Sequence, residues 1–284
     1  METIELDKRI HAYRSDIANV TLKEDVKAES YVTGEKYQAA FGITPVYKVP
    51  DNSTPLASQL LYGEYFNVFE IKNGWAWGQS LKDDYVGYCP ISNLTPDLHS
   101  ITHHVSALST HIYPEPDLKS HPMDLVHLMS GVSVIDEKQT NGFIPLADGN
   151  WIYATHIAKD FGTDPVSEAL KYLYTPYLWG GRSNAGVDCS GLIQLAFASV
   201  GISVPRDSDM QEQQFGDPLD DDQELRHGDI AFFPGHVGFM LDDMHLLHAN
   251  AHQMRVSIDP LREVIDIVSF QTDEPPLTCI KRPV

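Results

Sequence analysis

The sequence predicts an α+β protein in which two small antiparallel β modules precede a domain of helices packed on an antiparallel sheet. Three observations carry this. Over residues 36–98 short runs alternate apolar and polar with period two, separated by turn residues such as Asn73-Gly74. A second, more degenerate set occupies 104–158. From residue 160 onward helical periodicity comes first and strand-like runs come after.

Taken in order, residues 1–35 have mixed charge and weak periodicity and read as an arm packed on the adjoining module. Runs at Pro45 to Val49, Tyr65 to Ile71, Trp75 to Gln79 and Tyr85 to Cys89, with turns at Asn73-Gly74 and Lys82-Asp83-Asp84, predict a small barrel. The second module repeats the order, with runs at Thr110 to Pro114, Ser130 to Ile135, Gly142 to Leu146 and Gly149 to Tyr153. Asp160 to Pro165 is a turn-rich linker into the last domain, 160–284. There, Ser167 to Tyr174 reads as helix. A glycine-rich loop from Tyr177 then leads to a helix that starts at Asp188 or Cys189, runs to Val200 and stops at Gly201. Strands are expected at Asp229 to Phe233, His236 to Leu241, His245 to Asn250 and Met254 to Ile258.

Composition excludes several classes. Forty acidic against twenty basic residues give a formal charge of -20, which repels nucleic acid and anionic lipid. No apolar run is long enough to span a bilayer. The first ten residues have neither a basic n-region nor an apolar h-region, so a cytoplasmic location is expected. The acidic run Asp217 to Glu224 lacks the glycine and spacing of a calcium loop and reads as a solvated loop. Three cysteines, at 89, 189 and 279, form no Cys-x-x-Cys pair, so neither a disulfide framework nor a zinc knuckle fits. Cys89 and Cys279 read as structural thiols.

Cys189 reads as a nucleophile. At a helix start, unpaired N–H groups and the positive dipole end favour thiolate over thiol. A cysteine nucleophile needs a base, and the base needs an orienting group. A tight turn at Asp242-Asp243 joins the runs containing His236 and His248, so antiparallel pairing brings the two histidines nearly opposite each other. If both point to the face that meets the helix start, a Cys-His-His line results. His236 is then general base and acid, and His248 orients its ring. Backbone N–H groups at the helix start, helped by the Tyr177 hydroxyl, would hold an oxyanion. A zinc site of His245, His248 and His252 is disfavoured because period two puts His245 and His248 on opposite faces, and no His-Glu-x-x-His is present. No metal or cofactor is expected.

The motifs around these residues carry a resemblance. Tyr177-Leu178-Trp179-Gly180-Gly181, Asp188-Cys189-Ser190-Gly191-Leu192, Pro205-Arg206-Asp207-Ser208 with Gln211, Gly228-Asp229-Ile230, Gly235-His236-Val237-Gly238 and His248-Ala249 resemble the NlpC/P60 cysteine peptidase family. The two β modules look like bacterial SH3 domains, and the layout resembles the γ-D-glutamyl-L-diamino acid endopeptidases that recycle murein peptides. The resemblance implies a papain-like fold and cleavage after γ-D-glutamate. In such enzymes the first SH3 module walls off one end of the cleft, restricting substrates to murein peptides with a free N-terminal L-alanine. It also implies substrate contacts at Trp179, Asp188, Ser190 and Ser208 beside Tyr177, with Asp188 pairing with the substrate amine. Glu64 in Leu61-Tyr62-Gly63-Glu64 and Tyr85 in Asp84-Tyr85-Val86-Gly87-Tyr88 match residues that help fix that amine. The second module lacks such a motif and is expected to be scaffold. Two other readings are a hydrolase of intact peptidoglycan and a non-catalytic SH3-type binding protein.

Overall fold

In the computed structural model, which describes residues 6–220 and 222–283, the chain divides into a unit ending at Lys159 and a unit beginning at Asp160. The first five residues of the arm and Asp221 of the acidic run lie outside the described residues.

In the first unit the arm is tied down by its own side chains. Ala12 and Ile17 are buried with Phe69 and Trp77. The Arg14 guanidinium lies over the Trp77 ring at 4.4 Å and pairs with Glu70 at 2.9 Å. The first module is a seven-stranded sheet in the order Leu56–Leu61, Ile43–Tyr47, Val86–Pro90, Trp75–Ser80, Tyr65–Lys72, Glu35–Ala39 and Leu94–Thr95. All its pairings are antiparallel. Its ladder is open rather than the closed barrel that the alternation suggests, because the two end strands do not pair. Asn73 and Gly74 take φ of 53° and 82°, the double positive φ that a two-residue hairpin turn needs. Asn141 and Gly142 repeat it in the second module, with φ of 53° and 85°. Inside the first module Val46, Leu60, Phe66, Ala76 and Cys89 form the core. Burial pushes the Cys89 thiol up to about 12, so it is an inert core residue.

The second module is a four-stranded sheet, Asp124–His127, Ser109–Tyr113, Trp151–Tyr153 and Phe143–Pro145, beside a three-stranded one, Gly131–Val132, His103–Val105 and Ile157–Ala158. Within this unit Gly131 N–H donates to the Tyr62 carbonyl at 2.8 Å, and the Tyr62 hydroxyl donates to Asp148 at 2.6 Å. Gly63 has φ of 82°, and a Cβ there would lie 2.0 Å from the Gly131 carbonyl oxygen. The glycine of Leu61-Tyr62-Gly63-Glu64 is therefore required by the second module's approach.

The second unit is a five-stranded antiparallel sheet in the order Arg255–Pro260, His245–Asn250, His236–Met240, Ile230–Phe233 and Cys279–Lys281. Among the described residues four helices accompany it: α1 (Pro165–Leu170), α2 (Cys189–Ala198), α3 (Ser208–Gln214) and α4 (Leu261–Ser269). Asp164 caps α1 by accepting from the N–H groups of Val166 and Ser167. This helix ends before the expected Tyr174, which takes φ of 71° and donates its N–H to the Val256 carbonyl. The whole of α2 is buried; Leu192, Ile193 and Leu195 are each fully enclosed, and burying each such side chain contributes about 1.5–3 kcal/mol. Gly201, with φ of 80°, ends the turn after α2.

Two layers cover the sheet. The Phe197 ring of α2 packs tilted against Phe239, centroids 5.6 Å apart, on one face. On the other, Val264 of α4 packs against Ala231, Phe233, Met240 and Leu246. Neither α3 nor α4 is anticipated by the sequence reading. Among the described residues no helix is long and apolar enough to cross a membrane.

Candidate active site

Asp188 starts the site. It is the N-cap of α2, with a carboxylate oxygen accepting from the Gly191 N–H at 2.7 Å. The other oxygen accepts from the Gly180 N–H at 2.8 Å, which fastens the glycine loop to the helix start. Arg206 closes the group with a bidentate pair, 2.9 Å and 2.6 Å to the two oxygens. Its guanidinium also donates to Ser190 Oγ at 2.9 Å. Protein donors thus take up the acceptor capacity of Asp188, the carboxylate expected to meet a substrate amine, and its geometry is that of a cap and a guanidinium anchor. Gln211 of α3 donates to the Ser190 and Pro205 carbonyls and locks this corner.

Cys189 comes next as the first residue of α2, 7% exposed. Its sulfur lies at the backbone N–H groups of Ser190 and Val237, the residue after His236. Among the described residues no hydrogen bond joins that sulfur to the His236 ring, a contact that commonly tightens only when substrate binds. The helix start does not hold a thiolate here. Burial, with the Asp188 charge added, pushes the thiol up to about 12, and the two N–H groups only partly offset this. The dipole argument from sequence is outweighed because the sulfur has lost its water.

The histidine pair is made. His236 Nε2 and His248 Nδ1 are 2.7 Å apart, and His248 Nε2 is 2.9 Å from Asp259 Oδ2. Strand register explains it. Gly238 sits opposite His248, and a Cβ at Gly238 would lie 2.9 Å from the His248 Cβ, so glycine makes room for the ring. Both rings lie on the sheet face that carries Met240 and Leu246, while α2 packs on the face of Phe239. The Val237 N–H at the sulfur places Cys189 next to the start of the His236–Met240 strand.

Asp259 is a member of the site that the sequence reading missed. Beyond His248 it accepts from Ser257 Oγ at 2.6 Å and Gln253 Nε2 at 2.6 Å. Burial pushes this carboxyl up, but the Ser257, His248 and Gln253 donors together hold it below the usual carboxylate value. A carboxylate only accepts, so His248 carries its proton on Nε2, and its Nδ1 then accepts from His236 Nε2–H. His236 Nδ1, which has no partner among the described residues, keeps a lone pair. Burial, reinforced by His248, pushes His236 down to about 3, and burial also lowers His248 against the pull of Asp259. At neutral pH thiol and base are both uncharged, and the proton must move as the sulfur attacks.

Tautomer control by Asp259 is testable. Asp259→Asn can turn its amide N–H toward His248 Nε2, favour the other tautomer and leave His236 Nδ1 protonated. Turnover should fall by about 10²- to 10³-fold with thermal stability nearly kept. Because both imidazoles are lowered, the native acid limb of activity lies below the ordinary histidine value of about 6.5. Removing the carboxylate that supports His248 protonation should move that limb lower still. A loss under threefold with an unmoved limb would show that Asp259 does not set the tautomer.

The other expected residues divide between the two units. Tyr177 and Trp179 line a cleft of 390 Å³ together with His236, His248 and Asp259. Burial is the main cause that raises the Tyr177 hydroxyl above its ordinary value. Trp179 is 65% exposed and offers an open aromatic face. Ser190 is buried against Arg206, and Ser208 is the half-buried first residue of α3. In the first unit, Glu64 accepts from the Leu61 N–H at 3.0 Å. Tyr85 is buried there and donates its N–H to Asp83. His245 is held by Asp242. Among the described residues no group of three or more His, Cys, Asp or Glu side chains is arranged to hold a metal ion.

Comparison with known proteins agrees with this geometry. The NlpC/P60 family model matches residues 174–267, and a bacterial dipeptidyl-peptidase SH3 domain model matches 46–94. The chain is 28% identical over 246 residues to dipeptidyl-peptidase 6 of Lysinibacillus sphaericus, covering 77% of this chain and 89% of the relative. It is 26% identical over 245 residues to a γ-D-glutamyl-L-lysine dipeptidyl-peptidase of Bacillus cereus, covering 74% and 72%. An NlpC/P60 family protein of Bacillus cereus, known by crystal structure, shares the fold with a TM-score of 0.71 at 19% identity, covering 87% of this chain and 99% of that one. The chain thus carries an NlpC/P60 domain over residues 174–267 and a bacterial dipeptidyl-peptidase SH3 domain over 46–94.

Proposed function

We propose that the protein is a cysteine endopeptidase that hydrolyses the bond between γ-D-glutamate and a diamino acid in murein peptides bearing a free N-terminal L-alanine, in the cytoplasmic recycling of wall fragments. The observation that carries the reading is the relay from His236 through His248 to Asp259 beside the Cys189 thiol. The substrate class is supported by relatives named as γ-D-glutamyl-L-lysine dipeptidyl-peptidases. The free amine is supported by Glu64 and Tyr85, which match the family's motif for it.

Chemically, His236 Nδ1 takes the thiol proton as sulfur attacks the γ-carbonyl carbon. The imidazolium so formed is stabilised through His248 by the Asp259 carboxylate. The Cys189 N–H at the helix start and the Tyr177 hydroxyl then meet the developing oxyanion. His236 then protonates the leaving α-amine, leaving a thioester that water hydrolyses with His236 again as base.

Two substrates offered to the purified chain test this: the free tripeptide L-Ala-γ-D-Glu-diamino acid and intact sacculi. Release of L-Ala-γ-D-Glu from the tripeptide, with N-acetylation of its alanine reducing kcat/KM at least tenfold, is expected. Comparable release from sacculi would replace the recycling reading with that of a wall hydrolase.

A further inference from the structure

The cleft beside His236 continues past the catalytic residues along α4. Its far side is formed by Glu263, Val264, Ile267 and Val268, with Gln271 and Thr272 beyond the helix end. Glu263, Ile267 and Gln271 recur at intervals of four, so they run along a single line of the helix and the turn after it. This far side therefore combines a strip of methyl and methylene groups with one carboxylate.

The charges facing this strip are few. Asp259 is taken up by His248, Ser257 and Gln253. Glu263 has no hydrogen-bond or ion-pair partner among the described residues, and the described lining contains neither lysine nor arginine. Besides the catalytic pair, the remaining titratable groups are His252 and the Tyr177 hydroxyl. An apolar strip ending in an unpaired carboxylate suits an aliphatic stem that carries a cation. It gives a second carboxylate no lysine or arginine to pair with.

Position says which part of the substrate lies there. His236 delivers the proton to the leaving amine, so the residue that departs has its backbone at His236 and its side chain in adjoining space. We propose that Glu263 is a specificity residue for that departing residue, selecting a diamino acid whose side chain ends in an amine alone, of the lysine type, over one that also carries a distal carboxylate, of the diaminopimelate type. This rests on the peptidase reading above and adds the choice of third residue to it.

The test uses three tripeptides, L-Ala-γ-D-Glu extended by L-lysine, by L-norleucine or by meso-diaminopimelate, with the native chain, Glu263→Gln and Asp266→Asn. Norleucine keeps the stem and lacks the amine. Asp266 is an exposed carboxylate of the same helix outside the cleft lining. The native chain should favour lysine over both other peptides by about tenfold in kcat/KM, as a charge-assisted contact gives. Glu263→Gln should bring lysine to within threefold of norleucine while leaving the norleucine rate unchanged, and Asp266→Asn should keep the native ratio. An unchanged ratio in Glu263→Gln, an equal shift in Asp266→Asn, or native cleavage of the diaminopimelate peptide at least as fast as the lysine peptide overturns the inference and leaves the peptidase reading standing. No cleavage of any of the three by the native chain removes both.

Discussion

Cys189→Ala should abolish hydrolysis of the peptides proposed as substrates, with kcat falling by about 10⁵-fold or more, the cost of removing a nucleophile that acts as one unit with its base. Peptide binding, measured by calorimetry on the same variant, stays within about threefold of native, because the sulfur contributes little to ground-state contacts. Retained hydrolysis would sink the nucleophile assignment. Loss of turnover also discriminates against a purely binding role for the chain, since such a protein has no turnover to lose. Native Cys189 supplies a second readout. A thiol pushed up to about 12 is neutral at pH 7, so alkylation by iodoacetamide should be slow and should rise steadily with pH. A fast plateau around neutrality would instead reveal a preformed thiolate–imidazolium pair.

That contrast shows where sequence reasoning reached its limit. Local signals were legible: paired positive φ at Asn73-Gly74, the start of α2 at Cys189, and the tight turn that brings His236 and His248 together. The thiol's ionisation was not, because a helix end is visible in sequence and the loss of water around the sulfur is not. Asp259 escaped for a related reason. It reaches His248 only through the register in which Ser257 lies opposite His248, two residues before Asp259 and on the same face. The signal was the pair Ser257 and Asp259 in a strand-like run after the second histidine, readable once that pairing is assumed. Helix α4 carries apolar residues at Leu261, Val264, Ile265 and Val268, a clear helical spacing. Its nine residues continue directly from a strand through Pro260, which hid its start.

Arg206→Met should destabilise the second unit by about 3–5 kcal/mol, because it strands a buried carboxylate. The Arg206 side chain is 1% exposed and that of Asp188 10%, so water cannot replace the lost partner. The N–H groups of Gly180 and Gly191 remain on Asp188 and place the cost toward the lower end. A thermal midpoint lower by roughly 10 °C for the transition of this unit is the expected reading. Asp188→Asn in the same chain should restore part of the loss, since the double variant no longer buries an unpaired charge, and the two changes should be non-additive. A drop below about 1 kcal/mol in Arg206→Met would mean that the carboxylate is satisfied without its guanidinium. The same pair also fixes the chemistry. Asp188 holds the Gly180 N–H and the start of α2 through one carboxylate, so its anchor sets where the glycine loop and Cys189 stand relative to each other. The folded fraction of Arg206→Met should therefore show a lower kcat as well as a lower midpoint, whereas an equally destabilising core change far from α2 should lower the midpoint alone.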